Sequence, residues 1–211
     1  MNFVAHSVVA VRSGMDEAGQ ILGAVLGDLS AMARIRFDVG RLPPAVADGV
    51  RLHWAADRAF HADRVFLAGA DALRTSASSV GVARGASRAI GHAGWELLLD
   101  GRLAADSDAA LVAALEIAPS LSAACATDRD AGSWGRLAAR MTADRWWHRY
   151  ADPVFVAERL FDMLSRRPRL AFERSQMPAV AEVLANGQPS VATEAAAVLA
   201  RVVARVRAEG H

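Results

Sequence analysis

The sequence contains no lysine, so all 24 basic residues are arginines. That absence excludes Schiff-base chemistry and a phosphate-binding Walker lysine together. Cysteine occurs once, at Cys125, which excludes an internal disulfide framework and a thiolate zinc site. A large charge of one sign is also missing. The 24 basic residues meet 23 acidic ones for a net charge of +1, without the electrostatic footprint of a nucleic-acid binder. No uninterrupted apolar run reaches the roughly 18 residues of a membrane span. The apolar start, Met1 to Val11, has no basic residue before it and fails as a signal peptide. A soluble cytoplasmic protein with no membrane or nucleic-acid partner is therefore expected. The 211 residues, 53% of them hydrophobic, are ample for one core, and a single domain over 1–211 is expected, not a disordered chain.

Thr, Ile and Tyr are scarce, whereas Ala, Leu, Arg and Glu abound, so strand-forming material is thin and an all-α fold is expected, a helical bundle. The pattern predicts helices over about Asn2 to Arg12 and Asp16 to Met32, then a loop from Asp38 to Leu42. Pro43-Pro44 opens a long helix to about Asp63 that continues towards Leu73. Ser76 to Ser79 reads as a break, and a fourth helix follows to Asp100-Gly101, with the glycine as its cap. Further helices are expected over about Asp106 to Thr127 (kinked at Pro119), Gly135 to Trp147, Pro153 to Arg166, Pro168 to Ala185 and Pro189 to Glu209. Gly187-Gln188-Pro189 divides the last two. The final Ala/Val/Arg helix is a candidate surface for packing or for a homo-oligomer.

The informative residues are polar ones placed where the pattern calls for apolar ones. The first helix is apolar on every side except at His6 and Ser7, and a helix hydrophobic all round is buried. His6 therefore needs a partner. Asp28 ends the apolar run Ile21 to Leu26 and poses the same problem with the opposite charge. On the third helix Val46, Val50, His53, Asp57 and His61 recur at spacings of three and four, which is one face. On the fourth, His92 and Glu96 stand one turn apart, and Gly91 and Gly94 would admit a neighbouring helix closely. Taken singly, each is more often a satisfied core or surface pair than a ligand. As a set, six His, Asp and Glu residues on four helices, each on the side read as buried, point to a shared polar site. A divalent cation there would remove the cost of burying the carboxylates, and imidazole with carboxylate suits manganese, iron or zinc.

Other features read more plainly. Trp134, Trp146 and Trp147 among Arg140, Arg145 and Arg149 are a stacking platform or, more commonly, core tryptophans beside a solvated face. Ser165-Arg166-Arg167-Pro168-Arg169 is a basic turn, either a solvated helix end or a contact for phosphate or an acidic partner. No G-x-S-x-G, glycine-rich phosphate loop or Cys/His nucleophile is present.

Several blocks in order resemble the acyl carrier protein phosphodiesterases, or holo-acyl carrier protein hydrolases. These are Met1-Asn2-Phe3-Val4-Ala5-His6, Gly27-Asp28-Leu29, Pro43-Pro44-Ala45-Val46 leading through Gly49 to His53 and Asp57, and Arg149-Tyr150 leading through Phe155 to the turn Ser165 to Leu170. The resemblance covers roughly Met1 to Leu170. It implies an all-helical, HD-domain-like fold related to the HD-type phosphohydrolases. It also implies hydrolysis of the phosphodiester joining 4′-phosphopantetheine to acyl carrier protein, with a divalent metal, typically manganese. His6, Asp28, His53 and Asp57 match the family's polar positions. The chain departs from the family at three others. His61 and His92 stand where the family carries aspartates, and Glu96-Leu97 stands where it carries Asp-His. Histidine at two of these preserves metal-binding capacity, so the site reads as rewired, with its substrate open to change.

On this reading His6, Asp28, His53, Asp57, His92 and Glu96 hold one or two cations, manganese first and iron or zinc next, with His61 as a further ligand or proton donor. Asp57 or Glu96 orients water, and Arg166, Arg167 and Arg169 steer an acidic carrier protein. Two other classes stand beside it. One is a catalytically silent module that still binds acyl carrier protein or another acidic partner. The other is a metal-free interaction module whose buried cluster only pins helix register.

Overall fold

A computed structural model describes residues 1–210. The fold is all-α. Its helices are α1 (Phe3–Arg12), α2 (Ala18–Ala33), α3 (Pro44–His61), α4 (Arg64–Ser79), α5 (Arg84–Ile117), α6 (Asp128–Asp144), α7 (Pro153–Leu164) and α8 (Met177–Ala208), with short 3-10 turns between some of them. Among the described residues the only β pairing is an isolated bridge between Phe37 and Cys125. The residues form two compact units, each discontinuous in sequence. The first comprises Met1–Ala59, Leu103–Trp146 and the stretch from Arg201; the second comprises Phe60–Arg102 and Trp147–Ala200.

In the first unit α1 is buried from Phe3 to Ala10, as its all-round apolar character requires. Its one hydroxyl, Ser7, donates to the Val4 carbonyl and lies against the Ser107 hydroxyl, so this core polar group is satisfied. The helix beside it, α2, crosses α3 at backbone contact. A Cβ on Gly23 would overlap the Val46 carbonyl oxygen, and one on Gly49 would overlap the Gln20 carbonyl oxygen. Glycine at both positions is thus what allows the two axes to approach.

In the second unit, Gly91 of α5 faces the Ala70 carbonyl of α4 with no room for a side chain, and Gly94 faces Leu184 of α8. The close helix approaches expected at these two glycines are therefore present.

Four boundaries differ from expectation, each for a local reason. The long third helix stops at His61, because Asp63 caps a new one by accepting from the Val65 and Phe66 amides. Ser76 to Ser79 continue α4, with the Ser79 hydroxyl bonded back to the Ser76 carbonyl, and the turn comes at Gly81, whose φ is +83°. Gly101 is no cap. It lies inside the 34-residue α5, where a Cβ would overlap the Tyr150 carbonyl, so its glycine serves packing. Likewise Pro189 sits within the 32-residue α8, which begins only at Met177, and Gly187 there packs on Leu73.

Two smaller differences follow the same logic. α6 starts at Asp128, earlier than expected, because Thr127 accepts from the Asp130 amide and two aspartates occupy its first turn. Pro119 lies in a 3-10 segment, Ala118–Ala124, that follows α5. The stretch Arg84–Ala124 is long and apolar enough, by length and composition, to cross a membrane, a test that a core helix also meets.

The backbone crossing yields a stability prediction. Gly23→Ala must push two main chains apart and should cost about 1–3 kcal/mol or more. Gly135→Ala on α6, where a Cβ meets nothing within 4 Å, should gain about 0.5–1 kcal/mol. Urea denaturation midpoints of the two variants check the contrast.

Candidate metal-ligand clusters

The α2–α3 crossing has a chemical consequence one turn further along each helix. Gly27 follows Gly23 by four residues, and His53 follows Gly49 by four, so the imidazole of His53 meets the bare backbone of Gly27. A Cβ at Gly27 would lie only 2.7 Å from His53 Nε2. His53 Nδ1 donates to the Ala24 carbonyl at 2.8 Å. That bond assigns the proton of the neutral ring to Nδ1 and leaves the lone pair on Nε2, the arrangement in which metal-ligating histidines are usually held.

His6 reaches the same place from α1. Its ring lies 4.0 Å from that of His53, centroid to centroid. His6 Nδ1 is 2.8 Å from Asp28 Oδ2, while its fully buried Nε2 lies 3.4 Å from Asp57 Oδ1, in charge contact but without a hydrogen bond. Asp57 also pairs with the Met1 α-ammonium at 2.7 Å. One donor atom from each of His6, Asp28 and His53 lies within 4.8 Å of the other two.

The electrostatics divide the two histidines. Burial favours the neutral form of His6, but the Asp28 carboxylate on its Nδ1 and the contact with Asp57 outweigh it, and its pKa is raised. Burial acts the same way on His53, the charge on His6 adds to it, and its pKa is lowered. Asp57 is held well below the usual carboxylate range: burial opposes ionisation, but contact with His6 and with the Met1 ammonium overrides it. The two neighbouring rings are thus pushed in opposite directions.

His61, His92 and Glu96 come together in the second unit. His61 Nε2 lies 3.0 Å and His92 Nε2 3.3 Å from the same oxygen, Glu96 Oε1. One donor atom of each again lies within 4.8 Å of the others. Burial alone would raise the Glu96 pKa, but the two imidazoles reverse this and hold it well below its ordinary value.

The structure thus brings the seven sequence-derived residues together as two sets, with Asp57 beside the first. His53 and Asp57 lie in one set and His61 in the other, although α3 carries all three. Arg166, Arg167 and Arg169 are exposed. Trp134 and Trp147 are fully buried core residues, and Trp134 donates to the Ala118 carbonyl at 2.6 Å; Trp146 is half-buried, with the Arg140 guanidinium 5.6 Å from its ring centroid. Two participants escaped the sequence reading: the Ala24 carbonyl and the Met1 ammonium. Main-chain atoms leave no residue-type signal, although Gly27 opposite His53 hints at a crowded contact.

Comparison with known proteins identified no matching family model, no matching curated protein and no matching solved structure.

Asp28→Asn tests the charge assignment. The raised His6 pKa means that its protonation stabilises the fold below about pH 6.5, the unfolded value, and that this contribution is lost as pH rises through the folded value. Without Asp28, burial should dominate and bring the His6 pKa below 6.5, as read by NMR titration of the ring. The stability deficit of the variant should accordingly be larger at about pH 5 than at about pH 9.

Proposed function

We propose that this chain is a divalent-metal-dependent phosphodiester hydrolase of the HD-like helical type, similar in chemistry to the acyl carrier protein phosphodiesterases. Its substrate class is the phosphodiester of 4′-phosphopantetheine on holo-acyl carrier protein, or a related diester. The observation that carries this reading is the His6, Asp28 and His53 set, three donors within 4.8 Å of one another at a buried position. These residues suit a divalent ion on three counts. Two imidazoles and a carboxylate are a donor set for manganese, iron or zinc. The tautomer of His53 is held by Ala24, and His6 Nε2 is a buried polar atom without a hydrogen-bond partner.

When bound, such a cation lowers the pKa of water and neutralises charge on phosphoryl oxygens. The side chains supply the rest. His53 presents a neutral nitrogen at Nε2. His6, which tends to hold a proton, must release it to act as a ligand, so metal affinity should fall with acid. Asp57, ionised and 35% exposed, can orient a water at the edge of the set by accepting its hydrogen bond. The exposed arginines Arg166, Arg167 and Arg169 suit an acidic carrier protein by charge.

Those exposed arginines also support a second reading, in which the chain binds an acidic carrier without hydrolysing it, the buried ion pairs serving only to hold helix register. Turnover separates the two. Full-length protein with added manganese should hydrolyse bis(p-nitrophenyl) phosphate or release phosphopantetheine from holo-acyl carrier protein. His53→Gln should lower kcat by about 100-fold or more. Capture of holo-acyl carrier protein without hydrolysis of either substrate establishes the second reading. Unchanged turnover in folded His53→Gln removes this set from the chemistry.

A further inference from the structure

The second cluster differs from an ordinary hydrogen-bonded triad in its convergence. His61 arrives at the C-terminal end of α3, just before Asp63 starts the next helix, while His92 and Glu96 arrive one turn apart on α5. Both imidazoles direct the same nitrogen, Nε2, at one carboxylate oxygen, at 3.0 and 3.3 Å. Their rings are stacked, 5.0 Å apart at 22°. One donor atom from each of the three residues lies within 4.8 Å of the other two, close enough for all three to share one ion.

The walls around this cluster are aromatic. Phe66 meets His61 and His92 edge-on at 5.5 and 5.1 Å, Phe60 meets His61 at 5.5 Å, and Trp95 packs on both phenylalanines. The carboxylate side chain is 14% exposed and that of His92 is 51% exposed. A cation can therefore reach the site from water on the His92 side and meet a largely buried negative charge.

We propose that His61, His92 and Glu96 form a second metal site that takes zinc or a neighbouring borderline ion such as cobalt or nickel, in preference to magnesium, calcium or manganese. The donor chemistry sets this preference. Two neutral nitrogens with one carboxylate suit borderline ions, and His2Glu with an open fourth position is an established zinc arrangement. Magnesium and calcium require several oxygen donors, and this set provides one carboxylate. The proposal stands independently of the phosphodiesterase reading, which uses the other set.

Metal-free full-length protein titrated with zinc by calorimetry, in the presence of excess magnesium, tests this directly. Cobalt substitution provides a second readout through its tetrahedral absorption band. The first set is also a zinc donor set, so the decisive protein is His53→Gln, which disables it: this variant should still bind one zinc equivalent and show the cobalt band, and wild type should bind at least that equivalent. His92→Ala and Glu96→Gln should each weaken that equivalent by more than the ~10- to 100-fold that loss of a ligand's supporting partner costs. His92 is half exposed, so its replacement should leave the cooperative unfolding transition in place, and His92→Asn gives a smaller change to the same end. Wild-type affinity in folded His92→Ala, His92→Asn and Glu96→Gln overturns the proposal, as does displacement of zinc by an equal concentration of manganese. A wild-type protein that takes up no zinc overturns it as well. Loss of activity in His53→Gln with the zinc equivalent intact would leave both proposals standing separately.

Discussion

Backbone contact between α2 and α3 is the constraint on which the first cluster depends. Gly23 and Gly49 leave no room for a side chain on either helix, and four residues later on each strip Gly27 and His53 are pressed together. Held there, the imidazole has one position from which Nδ1 can reach the Ala24 carbonyl, and its tautomer follows. A pair of helices separated by ordinary side chains would leave His53 free to rotate, and its Nε2 lone pair would have no assigned direction. Packing thus precedes chemistry in this unit: main-chain proximity positions the ring, and the ring's hydrogen bond determines which nitrogen can serve as ligand or base.

Burial of charge is the second theme. An isolated ionised side chain in such a core would shift its pKa and neutralise. Here the charges are distributed in alternation, with Asp28 and Asp57 flanking His6 and the Met1 ammonium beyond Asp57. In the second unit two imidazoles share one glutamate oxygen. His6 and His53 are pushed in opposite directions, His6 upward by the Asp28 carboxylate against its burial and His53 downward by burial and the charge on His6.

Much of this was legible residue by residue. An all-round apolar α1 with His6 in it, an apolar α2 ending at Asp28 and the three-and-four spacing on α3 identified the candidates, because polar groups in an apolar pattern stand out under helical periodicity. Helix ends were read less well where one residue type serves two purposes. Glycine at 101 and 187 looks like punctuation in sequence, yet at 101 it accommodates the Tyr150 carbonyl and at 187 it packs on Leu73. Asp63, unremarkable beside the polar residues of α3, ends that helix by capping the next.

Periodicity and composition alone therefore determined the all-α class, the buried first helix and the identity of the ionisable residues, since these follow from local geometry and from the cost of burying polar groups. Only the tertiary structure decided how those residues are grouped. Spacing along a helix specifies a face, but which other faces it meets depends on where backbones can touch, and that is a property of pairs of helices. For this reason His53 and His61, two turns apart on α3, belong to different sets, and for the same reason the tautomer of His53 had to wait for the position of a single carbonyl on α2.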